Sequence, residues 1–137
     1  MCNWQDIEFP YARGRIRISA QTTQAACEII FRATQRRQTI SYTGVENELK
    51  RLGCPKINRG TIGHIVGEVS VQVSQITNPS IYPSSIVVRV ETDQPGDKFW
   101  DNNTGTHPPS GVPCDNRRDA LQQYRNDVFN RPWGCKC

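Results

Sequence analysis

Basic residues fall in short clusters along this chain, and clustered cations are the groups that bind phosphates. Arg13, Arg15 and Arg17 alternate with apolar or small residues over positions 13–19, which predicts a half-buried strand with a basic outer face. Further cations occupy the ends and joints of predicted helices: Arg32, Arg36, Arg37, Lys50, Arg51, Lys56, Arg59, Arg117, Arg118 and Arg125. The excess of basic over acidic residues in the whole chain is small, at 17 against 13. Any phosphate binding must therefore come from a local patch. The alternative is a solvated basic surface that offsets helix dipoles.

Residues suited to catalysis are scarce. The two histidines, His64 and His107, cannot form a His-x-x-x-His metal pair. Glu91, Asp93 and Asp97, with Lys98 nearby, could hold a magnesium ion, which makes a small metal-dependent nuclease a second alternative. Three glycines in the middle of the chain have neither P-loop nor dinucleotide-binding spacing: Gly60, Gly63 and Gly67. We therefore expect no catalytic residues, no metal and no cofactor.

The six cysteines admit two interpretations. His107, Cys114, Cys135 and Cys137 could supply four zinc ligands, although Cys-x-Cys is an unusual spacing for structural zinc. The sequence begins without an apolar signal segment, which predicts a cytoplasmic, reducing location. We accordingly expect reduced cysteines, with Cys27 as an ordinary buried thiol on the apolar stripe of a helix.

Length and composition indicate one small domain over residues 1–137, with a core at 13–100 and a C-terminal loop and helix at 101–137. Hydrophobic residues make up 36% of the chain, and no apolar run is long enough to span a membrane. We expect no membrane partner.

The predicted elements indicate an α+β fold. Residues 1–12 read as an irregular strap, and a first helix runs from Thr22 or Thr23 to about residue 38. A capping box at Thr43 and Glu46 opens a second helix, over about 44–52. A third helix begins near Asn58 or Thr61 and continues to residue 76, although its valines also fit a strand. A strand at 86–90 and a last helix at about 115–130 complete the pattern.

This order matches a winged helix-turn-helix, with a small antiparallel sheet and flanking N- and C-terminal helices. The third helix would be the recognition helix, and the turn from Asp93 to Lys98 would be the wing. We therefore predict a non-catalytic DNA-binding module. The predicted nucleic-acid-binding residues are Arg13, Arg15, Arg17, Lys56, Arg59, Thr61, His64 and Lys98.

The stretch from Tyr42 to Trp100 resembles an uncharacterised family of small phage and bacterial proteins with a winged-helix-like core. The matching residues are Tyr42, Glu48-Leu49, Leu52-Gly53, Ile86-Val87-Val88, Pro95–Phe99, Val128-Phe129 and Pro132-Trp133. The resemblance implies the fold and a phage or mobile-element origin. The same core is similar to the DNA-binding half of alkylguanine-DNA alkyltransferases. Their Pro-Cys-His-Arg site is missing here, because Pro113-Cys114 is followed by Asp115-Asn116.

A protein-interaction module, docking on a host or defence protein, is the first alternative. Under that hypothesis the Phe99-Trp100 pair and Trp133 are exposed anchors, since aromatic residues dominate many interfaces.

Overall fold

The structure is a computed structural model that describes residues 4–100 and 116–135, apart from the side chains of Asp97 and Lys98. In this part of the chain the fold is α+β, with four helices and an antiparallel two-stranded sheet. The elements in chain order are β1 (Ile7–Tyr11), β2 (Gly14–Ile18), α1 (Ala20–Gln35), β3 (Ile40–Ser41), α2 (Tyr42–Arg51), α3 (Arg59–Ile76), β4 (Val87–Val88) and α4 (Arg117–Asn130). Short 3-10 turns cover Pro83–Ile86 and Asp97–Trp100.

An antiparallel hairpin opens the fold, with β1 paired to β2 from Ile7 opposite Ile18 to Tyr11 opposite Gly14. The basic strand predicted at 13–19 is confirmed, but the irregular strap predicted for residues 1–12 is wrong over β1. Pro10, which cannot donate to a ladder, obscured the alternation of Ile7, Phe9 and Tyr11 in the sequence. Pro10 is exposed and Phe9 is buried, as expected for a strand with one face on the core.

Helix α1 begins at Ala20, two or three residues earlier than predicted, because Ser19 is its N-cap and accepts a hydrogen bond from the Thr22 amide. Thr22 and Thr23, the expected caps, are buried in the first turn. The helix ends at Gln35, and Arg37 then adopts a left-handed conformation with φ of 53°. The basic residues at the end of α1 therefore straddle its last turn.

Helix α2 has a different cap from the one predicted. Ser41 accepts a hydrogen bond from the Gly44 amide, and Glu46 binds Lys50 at 2.8 Å, so the capping box of Thr43 and Glu46 does not form. Pairing between β3 and the parallel strand β4 holds Ser41 extended, which makes it the last residue before the helix.

Helix α3 crosses the core and confirms the helical interpretation of its valines. Asn58 caps it with a capping box to Thr61, and the buried face contacts both α1 and α2. The strand predicted at 86–90 is reduced to Val87–Val88, because the Arg89 amide bonds to the Gln94 carbonyl at 2.8 Å and closes a turn. No antiparallel wing is present among the described residues of this segment.

A disulfide between Cys27 and Cys135 ties the end of the described chain to α1, with the two Cα atoms 5.9 Å apart. The prediction of reduced thiols is therefore wrong for this pair, and Cys135 is not available as a zinc ligand. The other three residues of the zinc hypothesis lie outside the described residues: His107, Cys114 and Cys137. Cys54 is a free, half-buried thiol.

Across the described ranges, no helix is long and apolar enough to cross a membrane. The cytoplasmic location stays a prediction, and the disulfide weighs against it, since disulfides persist mainly in oxidising compartments.

Candidate functional site

The β1–β2 hairpin lies against the start of α3. A Cβ atom placed on Gly60 would come within 2.7 Å of the Tyr11 ring, so the missing side chain at Gly60 is what allows this contact. The Lys56 ammonium donates a hydrogen bond to the Arg17 carbonyl at 3.1 Å. These two contacts join the basic strand to the turn that precedes α3.

The hairpin and the start of α3 together form what we call the basic edge. All of its cationic side chains are exposed: Arg13, Arg15, Arg17, Lys56 and Arg59. Among the described residues, Glu8 is the only carboxylate that forms ion pairs with these cations. It lies 3.1 Å from Arg15 and 3.9 Å from Arg17. Because all three of these side chains are about half exposed, the pairs contribute little energy and can exchange for phosphate. Five of the eight predicted residues are therefore exposed on the hairpin and around the start of α3 beside it.

Thr61 does not belong to that surface. It is fully buried, and its hydroxyl shares its one proton between the Lys56 and Asn58 carbonyls while its oxygen accepts from the Asn58 amide. The prediction that Thr61 contacts a base is wrong, because this residue completes the capping box of α3.

His64 is exposed and stacks on Phe9, with ring centroids 3.9 Å apart and an interplanar angle of 14°. It therefore lies next to the hairpin, one turn along α3 from the basic edge. The side chain of Lys98 lies outside the described residues.

Some of the remaining cations hold the fold together. Arg37 donates to the Phe129 carbonyl at 3.2 Å and to Asn130 at 2.9 Å, which ties the end of α1 to the end of α4. Arg125 donates to the Ser85 carbonyl at 2.8 Å, and burial lowers the pKa of its guanidinium. These arginines are structural, although their positions in the sequence suggested phosphate binding.

A second basic region joins the ends of α1 and α2. Glu48 lies within it, and its hydrogen bond to Arg51 lowers the pKa of the Glu48 carboxyl, with smaller effects from Arg32 and Arg36. This carboxylate partly neutralises the region.

The acids of the nuclease hypothesis do not form a recognisable metal site in the part of the chain that is described. No group of three or more histidine, cysteine or acidic side chains there is arranged to hold a metal ion. The side chain of Asp97 falls outside those residues.

An open cleft of about 850 Å³ adjoins the basic edge. Its floor is one face of α3, from Arg59 to Val71, and its walls come from β1, the start of α2 and residues 84–99. The hydroxyl oxygen of Tyr42 accepts the Gly96 amide at 3.1 Å in one wall, and burial raises the pKa of Tyr42. No motif in the sequence marked this cleft, because its lining comes from four separate segments.

The aromatic residues expected as exposed anchors are packed inside the protein. Phe99 is 2% exposed and meets Trp100 edge to face at 4.9 Å. Trp133 is half-buried, contacts Phe31 edge to face at 5.1 Å and donates to the Val128 carbonyl. This part of the docking hypothesis is wrong, since all three rings contribute to the core or its border.

Two glycines of α3 provide a matched test of these contacts. We expect Gly63→Ala to raise the free energy of unfolding by about 0.5–1 kcal/mol, because alanine favours a helix and a Cβ there meets nothing within 4 Å. Gly60→Ala should instead destabilise the protein, because the new methyl group collides with Tyr11. Urea unfolding of both variants measures the difference, and equal effects would show that the hairpin does not lie on α3.

Comparison of the chain with protein-family models, with curated proteins and with solved structures finds no match.

Proposed function

We propose that this protein is a non-catalytic nucleic-acid-binding module that contacts DNA phosphates through the basic edge. The observation that carries the proposal is the docking of the hairpin on the start of α3, through Lys56 on Arg17 and Tyr11 on Gly60. It joins the exposed cations of the hairpin to those around the start of α3, and Glu8 is the carboxylate paired within this group.

The order of α2, a turn over residues 52–58, and α3 supports the helix-turn-helix part of the fold that the resemblance implies. In such a module the start of α3 faces DNA. Here Thr61 is buried and Gly60 has no side chain, so Arg59 and His64 are the exposed side chains in the first two turns. Contacts to the phosphate backbone of DNA therefore dominate, and Arg59 and His64 are the two residues available to contact bases.

Fluorescence anisotropy with labelled duplex and single-stranded DNA, at about 50 and 200 mM salt, tests the proposal. We expect affinity to fall steeply with salt, with a slope that implies three to five phosphate contacts at about 0.9 per contact. Arg59→Ala and Arg13→Ala should each weaken binding and reduce the slope by about one.

Arg118→Ala is the matched control, because it removes the same charge from an exposed position on α4. It should leave the slope unchanged. Flat titrations at both salt concentrations, or equal losses in Arg118→Ala and Arg59→Ala, would exclude the basic edge as the binding surface.

A further inference from the structure

The exposed face of the first two turns of α3 lies inside the cleft. Four positions there are exposed, and all four line the cleft: Arg59, Gly60, Gly63 and His64. Because the walls come from β1, the start of α2 and residues 84–99, this face of α3 forms a floor and does not protrude. A recognition helix reads duplex DNA by entering the major groove, which a recessed helix does poorly. A flexible single strand reaches such a floor more readily than a duplex.

His64 supplies a flat ring on this floor. Its imidazole is stacked on the Phe9 ring, with centroids 3.9 Å apart and an interplanar angle of 14°. Phe9 is 7% exposed, so it supports the imidazole from the protein side and fixes the plane of the ring. His64 itself is exposed and lines the cleft, which puts it on the solvent side of the stacked pair. Proteins that bind single strands stack unpaired bases on aromatic side chains held in this way.

The surroundings of His64 leave room for a nucleotide. No atom lies within 4 Å of the point where a Cβ of Gly63 would be, so the floor beside the ring is open. Arg59 lines the same cleft, five residues or about 7.5 Å before His64 along the helix axis. Because Arg59 also belongs to the basic edge, a strand whose phosphates follow that edge passes next to the open floor.

Net charge does not select the occupant of the cleft. The lining contains acidic as well as basic side chains, among them Glu46, Glu68, Arg59 and Arg89. A nucleobase is uncharged, so this mixture does not oppose its entry, while the phosphates stay on the basic edge. Stacking on His64 is therefore the interaction that favours an unpaired base in this position.

We propose that the protein prefers single-stranded DNA over duplex DNA and that the cleft holds one unpaired base, stacked on the His64 ring. Arg59 binds the phosphate of that nucleotide, and the open floor at Gly63 accommodates its base. Duplex DNA keeps its bases stacked on one another, so it presents no base face to His64 and binds through the basic edge alone. Because the basic edge supplies the other phosphate contacts, this preference rests on the function proposed above.

Fluorescence anisotropy with three fluorescein-labelled DNAs, each about twelve nucleotides long, tests this base seat. The first is single-stranded oligothymidine, the second is an abasic strand with the same phosphates and no bases, and the third is a duplex. We expect oligothymidine to bind at least about tenfold more tightly than the abasic strand, which is the contribution of one stacked base. It should also bind more tightly than the duplex.

His64→Ala should weaken the binding of oligothymidine about tenfold, because it removes the ring. It should leave the binding of the abasic strand and the salt slope unchanged, because it removes no phosphate contact. His64→Phe is the matched control, since it keeps a flat ring and should bind oligothymidine within about twofold of the wild type. His64 is exposed, so both variants should fold, as thermal unfolding can verify.

Failure of DNA binding and failure of the base seat give different results. If none of the three DNAs binds with a salt-dependent affinity, the proposed function is wrong and the base seat with it. If they bind with the expected salt slope, but the abasic strand or the duplex binds as tightly as oligothymidine, the base seat alone is wrong. Unchanged binding of oligothymidine by His64→Ala would lead to the same conclusion.

Discussion

Replacement of Cys135 by alanine should lower the free energy of unfolding by about 4 kcal/mol, the largest effect we expect from a single substitution. The disulfide to Cys27 spans 108 residues, and a cross-link over a loop of that length strongly restricts the unfolded chain. The loss should also loosen the N-terminal end, because the Trp4 indole donates to the Cys135 carbonyl at 2.8 Å. Denaturant unfolding under oxidising conditions measures the change.

Cys54→Ala is the matched control, because Cys54 is a free thiol that packs against the same core. It should shift stability by no more than about 1 kcal/mol. In the presence of a reductant, the wild type should lose its advantage over Cys135→Ala. If both proteins unfold at the same denaturant concentration under oxidising conditions, the disulfide does not form.

The same disulfide shows why sequence reasoning failed at the cysteines. Cys27 fits the apolar stripe of α1 and is fully buried, as predicted, so its position gave no sign of a covalent partner. That partner lies far along the chain, and only tertiary folding brings it near. The inference of a reducing compartment then excluded the pairing that the structure contains.

Local signals were sufficient for α3, whose apolar period and Asn58 cap both lie within its own segment. The boundaries of α1 and α2 were less predictable, because Ser19 and Ser41 compete with nearby threonines as caps. At Ser41 the choice depends on pairing with β4, a contact that the sequence does not reveal.

The candidate site likewise combines features that local sequence predicts with features that depend on tertiary contacts. Charge and spacing predicted the residues of the basic edge, and the hydrogen bond from Lys56 to the Arg17 carbonyl shows that two of them are neighbours. The sequence did not reveal that Thr61 is a buried part of a helix cap or that Arg37 forms an interhelical hydrogen bond. Both roles depend on the residues that tertiary folding brings beside them. The cleft was not visible either, because its walls come from distant segments.

Replacement of Phe99 by alanine should destabilise the protein by about 3–4 kcal/mol, the cost of removing a buried aromatic side chain from a packed cluster. The ring of Phe99 contacts Trp100 at 4.9 Å and lies 6.3 Å from the Tyr124 ring, so its loss leaves a cavity between α4 and the preceding turn. Val90→Ala is the control, since Val90 is 72% exposed and should change stability by less than about 0.5 kcal/mol. Urea unfolding compares the two variants. An exposed anchor for a partner would give the opposite pattern, with Phe99→Ala as stable as the wild type, because truncating an exposed ring leaves no cavity behind.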